Sequence, residues 1–200
     1  MNKLLEDACE QFSTLPGVGG KTAMRLALHM LKQPRENVDN FANAIVKLRH
    51  NIKYCRECNL ICDSDLCEIC ANPKRDHSII CVVENVREVL SIEDTQEYNG
   101  IYHVLGGIIS PMDGIGPDDL PIPKLIDRAF RDTTKEIILA LSTSVEGETT
   151  SFYLYRLLEK TGVKVTTIAR GVGFGDDLEY TDSLTLGRSI THRQEFSPEL

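Results

Sequence analysis

Four cysteines stand at a spacing that can do chemistry: Cys55-x2-Cys58-x8-Cys67-x2-Cys70. Each Cys-x-x-Cys pair can chelate one side of a tetrahedron, and four thiolates with no open position make a structural zinc site. The stretch 54–72 is dense in cysteine and poor in apolar residues. It cannot fold on a core of its own, and metal binding would replace the missing core. Zinc leads over a redox dithiol or an iron–sulfur cluster. Cys62 lies between the two pairs, outside the completed shell, and Cys9 and Cys81 read as core residues.

A second chemical signal is Leu15-Pro16-Gly17-Val18-Gly19-Gly20-Lys21-Thr22-Ala23, which has the form of a helix-hairpin-helix motif. The glycines permit backbone conformations that a side chain would block and let the loop approach a phosphate closely. The helix that follows would offer its free N–H groups and positive dipole end to that phosphate. Lys21 and Arg25 lie four apart, on one face of that helix, where they could grip one strand of backbone. Such contacts position a protein on nucleic acid without reading its sequence. Gly19-Gly20-Lys21-Thr22 is superficially like a nucleotide-binding P-loop, but Leu15 stands where that motif needs glycine and no strand precedes it. A turn that only packs two helices is the competing reading.

The third signal is acidic. Glu84 follows directly on an apolar run, Ile79-Ile80-Cys81-Val82-Val83, and Glu146-Gly147-Glu148 follows another, Glu136 to Leu141. In an open parallel sheet, ligands gather outside the carboxyl ends of the strands. Three carboxylates converging there could hold Mg2+ against phosphate oxygens. Asp113, Asp118 and Asp119 are candidates to extend that rim. The competing reading is solvated acids, with Glu148 capping a helix. No Ser-His-Asp or Cys-His set stands out among the five scattered histidines, so no catalytic residue is nominated; His103, inside an apolar strand, reads as a satisfied core residue.

The elements that must position these groups follow from the rest of the chain. Its 200 residues are 42% hydrophobic and 26% charged, ordinary globular values. The N-terminus lacks a signal-peptide core and no apolar run is long enough to cross a membrane, so a reducing cytoplasmic location is expected. The net charge of −8 is unevenly spread: residues 1–53 carry eight Lys/Arg against five acids, whereas residues 54–200 carry 14 against 25. A basic head on an acidic body suits local phosphate contact better than wholesale wrapping of a polyanion.

Residues 1–53 read as helical throughout, with Pro34 ending the second helix and Asn37 to Asn40 offering caps for a third. Strands are expected at 79–83, 101–105, 136–141 and 164–169. Helices are expected between them, at about 86–92, 123–130 and 149–161. Near-continuous apolar strands separated by helices imply a parallel sheet covered on both faces. The expectation is thus a multi-domain α/β chain: a helix-hairpin-helix domain at 1–53, a four-Cys zinc finger at 54–72, an α/β sheet domain at 78–170, and a short C-terminal segment and tail at 171–200.

The order of these parts resembles the RecR family of bacterial recombination mediators along essentially the full chain. Ile80-Cys81-Val82-Val83-Glu84 is similar to that family's entry into a topoisomerase–primase (Toprim) domain. Tyr102 to Gly107, Ser110 to Pro117, Val145 to Thr150 and Leu178 to Arg188 match further family blocks. The resemblance implies a non-enzymatic DNA-repair adaptor that forms rings or clamps, typically homotetramers, and binds single- and double-stranded DNA. It implies action with RecO and RecF to help load RecA at single-stranded gaps. By position, Lys21 and Arg25 would contact DNA, Cys55, Cys58, Cys67 and Cys70 would hold Zn2+, and Glu84, Glu146 and Glu148 would be a Mg2+ or partner-binding cluster. The second acidic block is Glu-x-Glu rather than the Asp-x-Asp of nicking or priming enzymes. Leu178-Glu179-Tyr180 is likened in the family to a Walker B element. The alternative is a Mg-dependent Toprim nuclease or primase-like enzyme.

Overall fold

A computed structural model of the chain describes residues 2–173 and 175–193. Phe174, inside the glycine-rich turn, and the end of the tail from 194 on lie outside the described residues. The chain divides into two units, Met1–Ile52 and Lys53–Leu200.

The first unit holds α1 (Lys3–Ser13), α2 (Gly20–Lys32) and α3 (Arg35–Asn51). Asn2 caps α1, its side chain accepting from Leu4 N at 2.9 Å, which satisfies one orphan amide of the first turn. Ala23 and Ala27, four apart on α2, are buried; small side chains there let helices approach closely. The third helix starts at Arg35, ahead of the expected Asn caps. Pro34 is extended, and its carbonyl accepts from Asn37 and Val38, which opens the helix directly after the proline. No residue of α3 is buried, and Phe41, Ile45 and Leu48, at i, i+4 and i+7, are left bare.

The second unit opens with the short antiparallel pair β1 (Lys53–Tyr54) and β2 (Ile61–Cys62), then α4 (Glu68–Ala71). There follow β3 (Asp76–Val83), α5 (Val86–Thr95), β4 (Gly100–Val104), α6 (Ile122–Ala129), β5 (Glu136–Leu139), α7 (Val145–Leu158), β6 (Lys164–Thr167) and α8 (Ser183–Thr191). The four longer strands form one parallel sheet in the order β4-β3-β5-β6. Alternation along β3 serves both faces, as the period of two requires. Ile80 and Val82 join Leu125 of α6 and Leu154 and Leu158 of α7 on one side. Cys81 and Val83 join Val89 of α5 and Tyr102 on the other. Burial of these faces is the main favourable term, at about 25 cal/mol per Å² of apolar surface.

Two further helices depart from the sequence expectation. Ser144 caps α7 by accepting from Gly147 N at 3.0 Å, so the helix begins at Val145 and absorbs the Glu-x-Glu block into its first turn. Gly147 is required there, because a Cβ would collide with the Ser142 carbonyl. In the C-terminal segment, read from sequence as turn and tail, Asp182 accepts from Thr185 N and caps α8.

Candidate metal centre and nucleic-acid interface

Two knuckles build the cysteine centre. In the first, Asn59 adopts a left-handed conformation (φ 63°), its N–H donates to the Cys55 carbonyl and the Cys55 N–H donates to Leu60 O. This reversal brings Cys55 and Cys58 to one side. In the second, Cys67 caps α4, its Sγ accepting from Cys70 N at 3.4 Å. All four Sγ atoms lie within 4.8 Å of one another, and Cys58 and Cys67 are 3.5 Å apart. A tetrahedral Zn–S bond of about 2.3 Å spaces sulfurs roughly 3.8 Å apart, so the residues present fit zinc. The chemistry of the donor set agrees. Hydrogen bonds from Cys58 and Cys70 hold the Cys67 thiol far below its ordinary value, while Cys58 is pushed far up by the same sharing. A central cation is what allows all four to ionise together.

The finger is latched to the exposed edge of the sheet. Val104 N donates to the Cys58 carbonyl at 2.8 Å, and Asn59 Nδ2 donates to Val104 O at 3.0 Å. Arg131 pairs with Glu57 at 2.7 Å. Leu60 and Ile69 of the finger pack onto the sheet's core clusters. These bonds close the carboxyl end of edge strand β4 at Val104.

In the first unit the hairpin loop joins α1 to α2. Gly17 has φ +79°, a conformation that requires glycine in practice. Gly19 caps α2 without a side-chain bond, and the first helical bond is Ala23 N to Gly19 O. A Cβ on Gly19 or Gly20 would meet nothing within 4 Å. Neither glycine is demanded by internal packing. Lys21 and Arg25 are both exposed, and that turn holds no acid to compete with a phosphate.

The carboxylates behave differently. Strands β3 and β5 are neighbours, so topology does bring Glu84 and the start of α7 to one end of the sheet. The side chains do not converge. Glu84 is half-buried, and burial, then Glu88, raises its carboxyl above the usual range. The Glu88 carboxylate is spent on the backbone, accepting from Glu84 N and Asn85 N at 2.6 and 3.2 Å. Glu146 and Glu148, two apart on a helix, point to nearly opposite faces. Glu148 pairs with Arg170. Asp113 accepts from Ser110 Oγ and Asp119 from Gly116 N, both shaping the long loop. Among the described residues, the four cysteines are the only group of three or more Cys, His or carboxylate donors close enough to share an ion.

Family models match the chain in four consecutive blocks: RecR helix-hairpin-helix at residues 5–49, RecR four-cysteine zinc finger domain at 52–72, Toprim domain at 78–169 and RecR C-terminal at 171–194. The chain is 60% identical to the recombination protein RecR of Porphyromonas gingivalis over 98% of its own length and 95% of that relative. It is 57% identical to that of Bacteroides fragilis (97% and 95%), and 50% identical to that of Flavobacterium johnsoniae (98% and 95%). The chain belongs to the RecR family. It is a protein of DNA recombination and repair that carries the family's DNA-binding and zinc-binding modules, and zinc is its structural metal.

His103 is the satisfied core residue expected from the sequence, whereas its partner Arg128 is missed by sequence reasoning. His103 is fully buried; its Nε2–H donates to Pro121 O at 3.1 Å and its Nδ1 accepts from Arg128 at 3.3 Å. Burial, then the neighbouring Arg128, pushes its pKa down to about 3, so the ring is neutral. Arg128 itself is 1% exposed. A signal for it exists: it lies three residues after Leu125, on the apolar stripe of an amphipathic helix, where a cation must have a partner.

Proposed function

We propose that this chain is a ring- or clamp-forming DNA adaptor that works with RecO and RecF to help load RecA at single-stranded gaps, in the cytoplasm and without catalysis of its own. The observation that carries the reading is the hairpin: an open glycine loop running into α2, with Lys21 and Arg25 exposed four residues apart on one face. That geometry grips single- or double-stranded DNA by backbone phosphates and leaves the bases unread.

One such head holds DNA weakly, and several heads on one assembly multiply the grip through effective concentration. Each unit carries large apolar side chains that this single chain leaves exposed: Phe41, Ile45, Val46 and Leu48 in the first, and Ile168, Leu178, Leu184 and Ile190 in the second. A closed ring needs two complementary patches on every subunit, and exposed apolar surface on both units supports self-assembly into a homotetramer. The enzyme alternative asks Glu84, Glu146 and Glu148 to act together. Glu148 is instead paired with Arg170, and burial and the neighbouring Glu88 raise the Glu84 pKa above its ordinary value.

Charge reversal tests the reading. Lys21→Glu or Arg25→Glu should lower affinity for gapped DNA about tenfold at low salt and flatten the log–log salt slope by about one per residue. Zinc content and solution mass should stay unchanged. Full DNA affinity in both variants would make the hairpin an assembly element. Cleavage or priming with Mg2+ or Mn2+ that Glu84→Gln abolishes would establish the enzyme instead.

A further inference from the structure

Arg128 is the largest of the side chains that the fold buries completely. It stands on α6 beside Ile122, Leu125 and Ala129, facing the core. Its Nη1 donates to the Tyr102 carbonyl at 2.7 Å and to His103 Nδ1 at 3.3 Å, both uncharged acceptors. Its Nη2 is buried with no hydrogen-bond partner among the described residues. Among those residues no carboxylate lies within ion-pair distance of the guanidinium. An arginine keeps its charge, and a buried charge without compensation is costly. No carboxylate pairs with it directly, so the negative charge that answers it acts from beyond ion-pair distance.

The metal centre supplies one. Four thiolates around one Zn2+ leave the centre dianionic. Arg128 and the ligand Cys70 line the same cavity of about 190 Å³, together with Glu57 and Arg131. Glu57 is engaged by Arg131. Burial disfavours the charge on Arg128, and the groups across that cavity able to carry the opposing charge are the ligand Cys70 and Glu57. The same loop that contributes Cys58 is bonded to Val104 at the edge strand, one residue beyond His103.

We propose that Arg128 is the counter-charge of the zinc centre: a positioning residue of the sheet domain whose guanidinium offsets the dianionic tetrathiolate and so sets how tightly the finger keeps its metal. The finger's stability then depends on a residue far downstream of its last ligand, and the sheet domain tolerates a buried arginine only because the metal centre is charged. Neither Cys-x-x-Cys pair carries this information in its own sequence.

The test is zinc affinity of the full chain, measured by competition with a chromophoric chelator. Arg128→Met keeps the volume and removes the charge; it should weaken zinc binding about tenfold or more. Arg128→Lys keeps the charge but cannot reproduce the fork to Tyr102 and His103, and should remain within about fivefold of the unaltered chain. Arg131→Met, in the same cavity but serving Glu57, should be unchanged. Zinc held by Arg128→Met as tightly as by the unaltered chain overturns the proposal. Equal losses in the Met and Lys variants also overturn it, because a purely structural arginine is replaced by neither. If Arg128→Met does not fold even with saturating zinc, Arg128→Lys decides alone: retention within that same range supports the counter-charge, and a larger loss overturns it.

Discussion

Two acid-bearing patterns in this chain are candidates for a metal, and only one of them assembles. Cys55, Cys58, Cys67 and Cys70 meet with all sulfurs within 4.8 Å of one another. Glu84, Glu146 and Glu148 arrive at one end of the sheet and then part. The difference lies in what fixes the side chains. Each cysteine pair sits in a tight knuckle whose turn bonds (Asn59 N to Cys55 O, Cys70 N to Cys67 Sγ) aim both thiols inward. The glutamates have long side chains and nearer partners. Glu148 finds Arg170, and Glu84 is crowded by Glu88. Spacing within a turn dictates convergence; adjacency of strand ends only permits it.

The largest effect expected from this contrast is on the cysteine side. Cys58→Ser should drop zinc from about one per chain to well below that, by elemental analysis. It should also cost about 3 kcal/mol or more of stability, seen as a melting temperature lower by roughly 6–12 °C. The bond from Val104 N to the Cys58 carbonyl should weaken with it, so hydrogen exchange at Val104 should accelerate while Val82, in central β3, stays protected. Full zinc retention would place the metal elsewhere and remove the basis of the comparison.

A smaller effect falls on the histidine behind the centre. His103 has a folded pKa of about 3 against an ordinary 6.5, because burial and Arg128 disfavour its charged form. Between those values the unfolded chain binds the proton and the folded chain does not. Stability therefore rises with pH through the window 3 to 6.5 and is flat above it. Falling pH should cost up to about 1.4 kcal/mol per unit below roughly pH 6.5 from this one ring. His103→Gln, which can still accept from Arg128 and donate to Pro121 O, should flatten that part of the profile; denaturant unfolding at about pH 7 and about pH 5.5, with zinc content followed in parallel, measures it. An unaltered slope in the glutamine variant would mean that the ring is not held neutral.

What is legible in the sequence follows the same division. The four strands and their parallel direction can be read from apolar runs such as Ile79 to Val83, because burial on both faces leaves a continuous apolar signature. The cysteine centre is legible because its geometry is local. The start of α7 is not, since the Glu-x-Glu block reads as a loop although Ser144 offers a cap. Arg128 carries no motif and His103 reads as inert, because their meaning depends on partners distant in sequence: Tyr102 O, Pro121 O and the finger. The divergence of Glu146 from Glu148 is hidden for a related reason. Seen as loop residues they share a direction; seen in a helical turn they cannot.

The smallest effect belongs to the carboxylates, and it bears most directly on the contrast. The Glu148–Arg170 pair is partly exposed, at 42% and 27% of the two side chains. Such pairs contribute about 0–1 kcal/mol. Arg170 Nε is buried without a partner among the described residues, which moves the expected cost of Glu148→Gln toward the upper part of that range. Glu146→Gln, which breaks no such pair among the described residues, should shift stability by less than about 0.5 kcal/mol. Mn2+ titration followed by electron paramagnetic resonance then separates two outcomes. If Arg170 occupies the place a cation would need, Mn2+ affinity should be weak in the unaltered chain and equally weak after Glu148→Gln, and Arg170→Met should be the one change that strengthens it. Tight Mn2+ binding by the unaltered chain, lost on Glu148→Gln, would mean that the glutamates do converge in solution, and the two patterns would cease to differ.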